Sequence, residues 1–151
     1  MTWNAYLAGE IHSPWRDEIT RAIDDSNLDV FCHAPVTDHD ASDDCGVRIL
    51  GPEPDPFWHD RKGASLNAIR TRTLIERADI VVVKFGEKYK QWNAAFDAGY
   101  AAALGKKLII IHSPEHRHAL KEIDAAALAV CESASQVVEV LRYVTTGQLG
   151  S

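Results

Sequence analysis

The chain has 151 residues, of which 46% are hydrophobic and 25% charged, with a formal net charge of -6. These are globular values for about one domain, and no run approaches the roughly 20 apolar residues of a membrane span. The acidic balance speaks against a nucleic-acid backbone as partner and leaves small molecules as the expected ligands. The amino-terminal residues MTWNAYLAGEIHSPW lack the basic start and apolar stretch of a secretion signal, which predicts a cytoplasmic protein. Cys32, Cys45 and Cys131 are few and scattered, as expected of reduced thiols rather than a disulfide framework or zinc site.

In chain order, strand-like runs alternate with helical periodicity. The first strand spans Trp3 to Ala8 and is closed by Gly9, and a helix opens at Pro14 and carries Trp15, Ile19, Ala22 and Ile23. Leu28 to His33 is the second strand. A helix over about Ala64 to Ala78 leads into DIVVVKF (Asp79 to Phe85), the most continuous strand signal and therefore central. The next helix, capped by Asn93 and stopped by Gly105, precedes KLIIIH (Lys107 to His112). A helix near Arg117 to Ala127, a short strand Leu128 to Cys131 and a last helix capped by Ser133 or Ser135 complete residues 1–146, with a frayed tail at 147–151.

Five buried strands joined by helical crossovers predict an α/β fold, a single doubly wound parallel sheet in the flavodoxin-like order 2-1-3-4-5. Ligands of such sheets bind beyond the carboxyl ends of the strands where the order reverses, here between strands one and three. The walls of that crevice are then Gly9, Glu10, Ile11 and His12 on one side and Phe85, Gly86 and Glu87 on the other. Asn67, Arg70 and Thr71, at the start of the helix before strand three, are expected at the same end of the sheet.

Between Lys90 and Lys106 the only charged residue is Asp97, in the run NAAFDAGYAAALG. A carboxylate withdrawn from water without partners is costly or loses its charge, so Asp97 is either solvated, a helix cap or a functional group. Gly99 costs about 1 kcal/mol relative to alanine inside a helix, and it is read as leaving room for something to approach the carboxylate. The segment from Ala34 to Arg61, with four prolines and seven acidic residues, has no clear period and is expected to be a long loop, either a lid or a solvated insertion. Its TDHDASDDC stretch (Thr37 to Cys45) matches no metal signature, no P-loop is present and no GxGxxG follows strand one, so no metal or cofactor is expected.

Three stretches, YLAGEIHSPWRDEI (Tyr6 to Ile19), ERADIVVVKF (Glu76 to Phe85) and FDAGYAAALGKKLIII (Phe96 to Ile111), resemble the nucleoside 2-deoxyribosyltransferase superfamily, and more closely its YtoQ-type branch. The resemblance covers nearly the whole domain. It implies that Asp97 stands where the superfamily carries the carboxylate that attacks the anomeric carbon, and that Tyr6 matches a tyrosine that positions it. It also implies a homo-oligomer. This chain departs from the pattern in having aspartate rather than glutamate as that carboxylate, and in placing Thr71 and Gln91 where base-contacting aspartates stand.

The candidate catalytic residues are therefore Asp97, Tyr6, Glu10 and Glu87, the last two as acids for the leaving group. Gly9, His12, Asn67 and Arg70 are candidates for substrate binding, together with Thr71, Gly86, Gln91 and Asn93. Three functions stay open: cleavage or transfer of an N-glycosidic bond in a nucleoside, nucleotide or related glycoside, a nucleoside- or nucleotide-binding sensor without turnover, and an interaction protein. Within the first, loss of the two carboxylates favours hydrolysis over base exchange. Arg70 and two helix amino termini favour a phosphorylated sugar.

Overall fold

The computed structural model describes all 151 residues. Its elements are β1 (Trp3–Gly9), α1 (Trp15–Asp25), β2 (Val30–His33), α2 (His39–Leu50), α3 (Pro56–Arg77), β3 (Ile80–Lys84), α4 (Trp92–Ala103), β4 (Lys107–Ile111), a 3-10 turn (Pro114–His116), α5 (Lys121–Ala126), β5 (Ala129–Cys131) and α6 (Ala134–Thr146). The strands form one parallel sheet in the order β2-β1-β3-β4-β5, as the crossover pattern predicts.

Alternation along the strands builds two apolar faces. Leu7, Ile80, Val82, Ile109, Ile111 and Cys131 meet Trp15, Ile19 and Ile23 of α1 and Val137, Val138 and Leu141 of α6. Residues of the other parity, including Tyr6, Ala8, Val81, Val83, Leu108 and Ile110, are buried at 0% exposure, and α4 and α5 pack on that face. Runs of four buried residues occur only in β1, β3 and β4. On the edge strands Phe31 is 58% and Val130 46% exposed, because an edge strand has a neighbour on one side only.

Residues 34–77 form a compact helical unit of their own. The expected long loop at 34–61 is not one: α2 fills its centre and α3 begins at Pro56 rather than Ala64. Asp38 caps α2 through its carboxylate, which accepts from the Ala41 amide at 2.8 Å. The helices approach at two glycines, since a Cβ on Gly46 would lie 2.5 Å from the Gly63 nitrogen and one on Gly63 would lie 2.8 Å from the Asp43 carbonyl oxygen. Proximity overrides the low helix propensity of glycine here.

Candidate active site

The carboxyl end of β1 turns sharply at Gly9, where φ is +105°, and enters α1 through Glu10, Ile11, His12 and Ser13. This turn is held from inside. The Glu10 amide donates to the Lys84 carbonyl at 3.0 Å, and Trp15 Nε1 donates to the Glu10 carbonyl at 2.7 Å. Arg16 donates to three carbonyls: Nε to Leu7 at 2.9 Å, one terminal nitrogen to Glu10 at 2.7 Å and the other to Gly9 at 3.1 Å. Its guanidinium also lies 4.6 Å from the Trp15 ring centroid. Burial pulls the Arg16 pKa below its ordinary value, the charges of Tyr6 and Glu10 opposing that effect. A planar fork with fixed donors suits this task and a lysine does not. Arg16→Lys is therefore expected to destabilise the fold by about 1–2 kcal/mol, because one ammonium cannot reach the Leu7 and Gly9 carbonyls together while Trp15 still serves that of Glu10; urea denaturation measures it.

Glu10 is 6% exposed. Its carboxylate accepts from the His12 amide and the Ser13 hydroxyl, so both oxygens are engaged in the turn. Gly86, on the facing loop after β3, packs against it, and a Cβ there would lie 2.5 Å from Glu10 Cγ. Lys84, the last residue of β3, reaches the same turn, its Nζ 3.5 Å from the Ser13 hydroxyl. His12 is exposed, with its ring centroid 4.6 Å from that of Tyr89. Glu87 is open to solvent and 3.6 Å from His116 Nε2.

Asp97 sits midway along α4, whose buried ridge is Ala94, Ala98 and Ala101. Its carboxyl is partly buried, on the flank between that ridge and the outer face. Desolvation, not a neighbouring charge, raises its pKa from the ordinary 3.8 to about 6. Tyr6 is fully buried on β1, opposite Val81 and His33 in the strand register. The structure thus places Tyr6, Gly9, Glu10, His12, Gly86, Glu87, Gln91 and Asp97 on β1, β3, α4 and their connecting turns.

Other expectations change. Asn93 is exposed and does not cap α4; Gln91 holds the N-cap position without a side-chain cap bond. Gln91 Oε1 instead accepts from the Gly86 amide at 2.9 Å, so its amide shapes the loop between β3 and α4. Gly99 lies two residues, or about 200° of helical rotation, from Asp97. A Cβ on it would meet nothing within 4 Å, so it makes no room beside the carboxylate. Asn67 falls in the middle of α3 rather than at its start, and its Nδ2 donates to the Ser42 carbonyl at 2.9 Å and hydroxyl at 3.1 Å, which ties α3 to α2. Arg70 donates to the Ala34 carbonyl at 3.3 Å, and Thr71 is half-buried in the same unit. Ser13, Arg16 and Lys84 were not singled out from the sequence; the signal for Lys84 was a lone cation ending an otherwise apolar strand.

These features define a class: a doubly wound α/β domain with a desolvated carboxylate on the helix that follows the strand at the reversal point. The family model described as nucleoside 2-deoxyribosyltransferase YtoQ matches residues 6–145, and the chain belongs to that family. It is 43% identical over 144 residues to the uncharacterized protein YtoQ of Bacillus subtilis (strain 168), covering 95% of this chain and 97% of that one. Solved structures share the fold at low identity. A conserved protein from Enterococcus faecalis V583 superposes with a TM-score of 0.65 at 12% identity, covering 95% of this chain and 99% of the other. For the 2-deoxyribosyltransferase of Bacillus psychrosaccharolyticus the values are 0.56, 17%, 89% and 90%, and for the CMP N-glycosidase of Clostridium botulinum 0.54, 10%, 93% and 98%. No helix is long and apolar enough to cross a membrane.

Proposed function

We propose that the chain cleaves an N-glycosidic bond of a nucleoside or nucleotide, with Asp97 as nucleophile and water as the acceptor. The observation that carries this reading is the Asp97 carboxyl: partly buried, and raised to about 6 by desolvation. Such a group is still ionised near neutral pH but poorly solvated, which suits attack on carbon. In the first step an Asp97 oxygen bonds to the anomeric carbon as the carbon–nitrogen bond breaks, and the electron pair leaves with the base nitrogen, which takes up a proton. In the second step water attacks the same carbon, loses a proton, and releases the sugar and the Asp97 carboxylate. Of the two further carboxylates, Glu87 is the better proton carrier, because it is solvent-facing while both oxygens of Glu10 already accept hydrogen bonds. Tyr6 positions Asp97 in this reading, and the protein works as a homo-oligomer in the cytoplasm.

Hydrolysis is favoured over base exchange because Gln91, whose carbonyl oxygen is held by Gly86, replaces a carboxylate that would grip an incoming base. Preference for a 5'-phosphate draws on Lys84, a cation at the end of β3. A panel of paired nucleosides and 5'-monophosphates, assayed for free base with and without an added acceptor base, is expected to show monophosphates turned over faster and the acceptor base without effect. Exchange outrunning hydrolysis would refute the choice of acceptor, and equal turnover of both partners would refute the phosphate. A slow fluorinated glycoside should leave its mass on the peptide containing Asp97, and label on another peptide would remove Asp97 from the role. The same engagement of Gln91 favours a second reading, a binding protein without turnover, which would show thermal stabilisation by these ligands and no base release.

A further inference from the structure

We propose that residues 113–127 form a strap at the carboxyl end of the sheet, that the buried His112–Asp124 pair latches it shut, and that its opening withdraws His116 from Glu87. The strap leaves the sheet after β4, at the same end as the crevice between β1 and β3. It contributes nothing to the core. Each of α4, β4 and α6 buries at least three residues, whereas no residue from 113 to 128 is buried. A segment without buried apolar contacts lies at the low end of local stability.

Its backbone is also self-contained. The amides of His116, Arg117, Leu120, Asp124 and Ala127 donate to the carbonyls of Ser113, Pro114, His116, Leu120 and Asp124, all within the strap. The flanking bonds belong to the sheet: the His112 amide donates to the Cys131 carbonyl and the Leu128 amide to that of Leu108. Ser113, which precedes Pro114, and Ala127 are extended, with ψ 159° and 149°, and form single-residue joints at the two ends. The strap can therefore swing out without breaking a backbone bond of the sheet.

One contact keeps it closed. His112 is 2% exposed, with Nδ1 2.6 Å from the Ser113 carbonyl oxygen and Nε2 2.9 and 2.8 Å from the two carboxylate oxygens of Asp124. A carbonyl and a carboxylate only accept, so the ring donates from both nitrogens, and the bond to Asp124 is charge-assisted and shielded from water. The other ties are exposed ion pairs, Arg117 with Glu132 at 2.8 Å and His116 with Glu87 at 3.6 Å, a kind that contributes little. Against closure stands the Ser113 hydroxyl oxygen, buried without a hydrogen-bond partner, which costs free energy until the strap opens. Closed, the strap sets His116 beside Glu87 on the facing loop, so His112 and Asp124 act on Glu87 as positioning residues. That last link rests on the proposed cleavage, in which Glu87 carries a proton to the base; the strap and its latch do not.

Native-state hydrogen exchange on the full chain is expected to show the amides of Leu120, Asp124 and Ala127 opening together and faster than those of β3 and β4. A helix as short as α5 does not persist without its packing, so opening also melts it and exchange reads the event. Asp124→Asn should speed this opening by about tenfold to a hundredfold, and Ser113→Ala should slow it by about fivefold. Neither should alter exchange in β3, β4 or α6. Arg117→Ala should change it by about threefold at most. In assays of base release, His116→Ala and Asp124→Asn should each lower kcat by about threefold to tenfold with KM unchanged. The double variant should be no slower than His116→Ala alone, because the latch acts through His116. Strap amides that exchange only together with β3 and β4, indifference to Asp124→Asn, or a rise that spreads through the sheet would each overturn the strap. Additive losses in the double variant would overturn the link to Glu87. The expected exchange pattern with no base release would uphold the strap and remove the cleavage reading alone.

Discussion

Asp97→Asn is expected to abolish base release, by about a thousandfold or more, and at the same time to make the fold more stable above pH 6. Both effects have one origin. The wild-type carboxyl titrates near 6 in the folded chain against an ordinary 3.8, because burial disfavours its charged form. The folded state therefore holds the proton more tightly than the unfolded one, and stability falls as pH rises from about 4 to about 6, then stays level. The full difference corresponds to about 3 kcal/mol, and about 1–3 kcal/mol is expected for a carboxyl that keeps some contact with water. Asparagine never ionises, so the variant should match wild type near pH 4 and pull ahead through pH 6. By pH 8 its melting temperature should be higher by about 3–10 °C. On the proposed role of Asp97, kcat/KM of the wild-type chain should rise through the same range, as the carboxyl loses its proton. A melting-temperature gap that does not depend on pH would mean that desolvation is not what sets Asp97 apart. Undiminished base release by the variant would place the nucleophile elsewhere.

The sheet was legible because its central strands are covered on both faces. IVVVK and KLIII are continuous apolar runs that no amphipathic helix would present, and the lengths of the intervening segments allow only crossover connections. The helical unit was hidden for the converse reason. In HDASDDCGVRIL the apolar residues are few and a glycine sits in the middle, so neither periodicity nor propensity announces a helix. What stabilises α2 is close contact with α3 at Gly46 and Gly63, a property of the pair that neither helix shows alone. The Asp38 cap was the one local signal, and it lies within an acidic run that also reads as solvated loop.

Asp97 itself stood out for a reason the structure bears on directly: a lone charge in an apolar helix is visible in composition, and its burial follows from the ridge it borders. The supporting residues were not visible in this way. Arg16 reads as an ordinary surface cation at the start of an amphipathic helix, yet its three acceptors lie six to nine residues back, on the turn of β1. Ser13 and Lys84 are 71 positions apart and meet only because β1 and β3 pair in parallel. Partnerships of this kind depend on strand order, which a sequence reading supplies, and on side-chain reach, which it does not.

The pairing of β1 with β3 at the mouth of the crevice should be the least forgiving point of the fold, and Gly9→Ala is expected to cost about 3–5 kcal/mol. Two penalties add there. At φ +105° an L-residue is strained by about 1–3 kcal/mol. In addition, the new Cβ would press on the Lys84 carbonyl and lie 2.8 Å from the Lys84 amide nitrogen, backbone atoms of the paired strand that can move only if the strands part. Parting them would also break the bond from the Glu10 amide to the Lys84 carbonyl and loosen the turn that Arg16 holds. Gly105→Ala supplies the comparison, since φ is +71° there but an added Cβ meets nothing within 4 Å, so strain acts alone and about 1 kcal/mol is expected. Denaturation of both variants isolates the clash as their difference, about 2–4 kcal/mol or a gap of about 5–10 °C in melting temperature. Equal losses would show that β1 and β3 have slack at Gly9, and the crevice would then owe its shape to the turn alone.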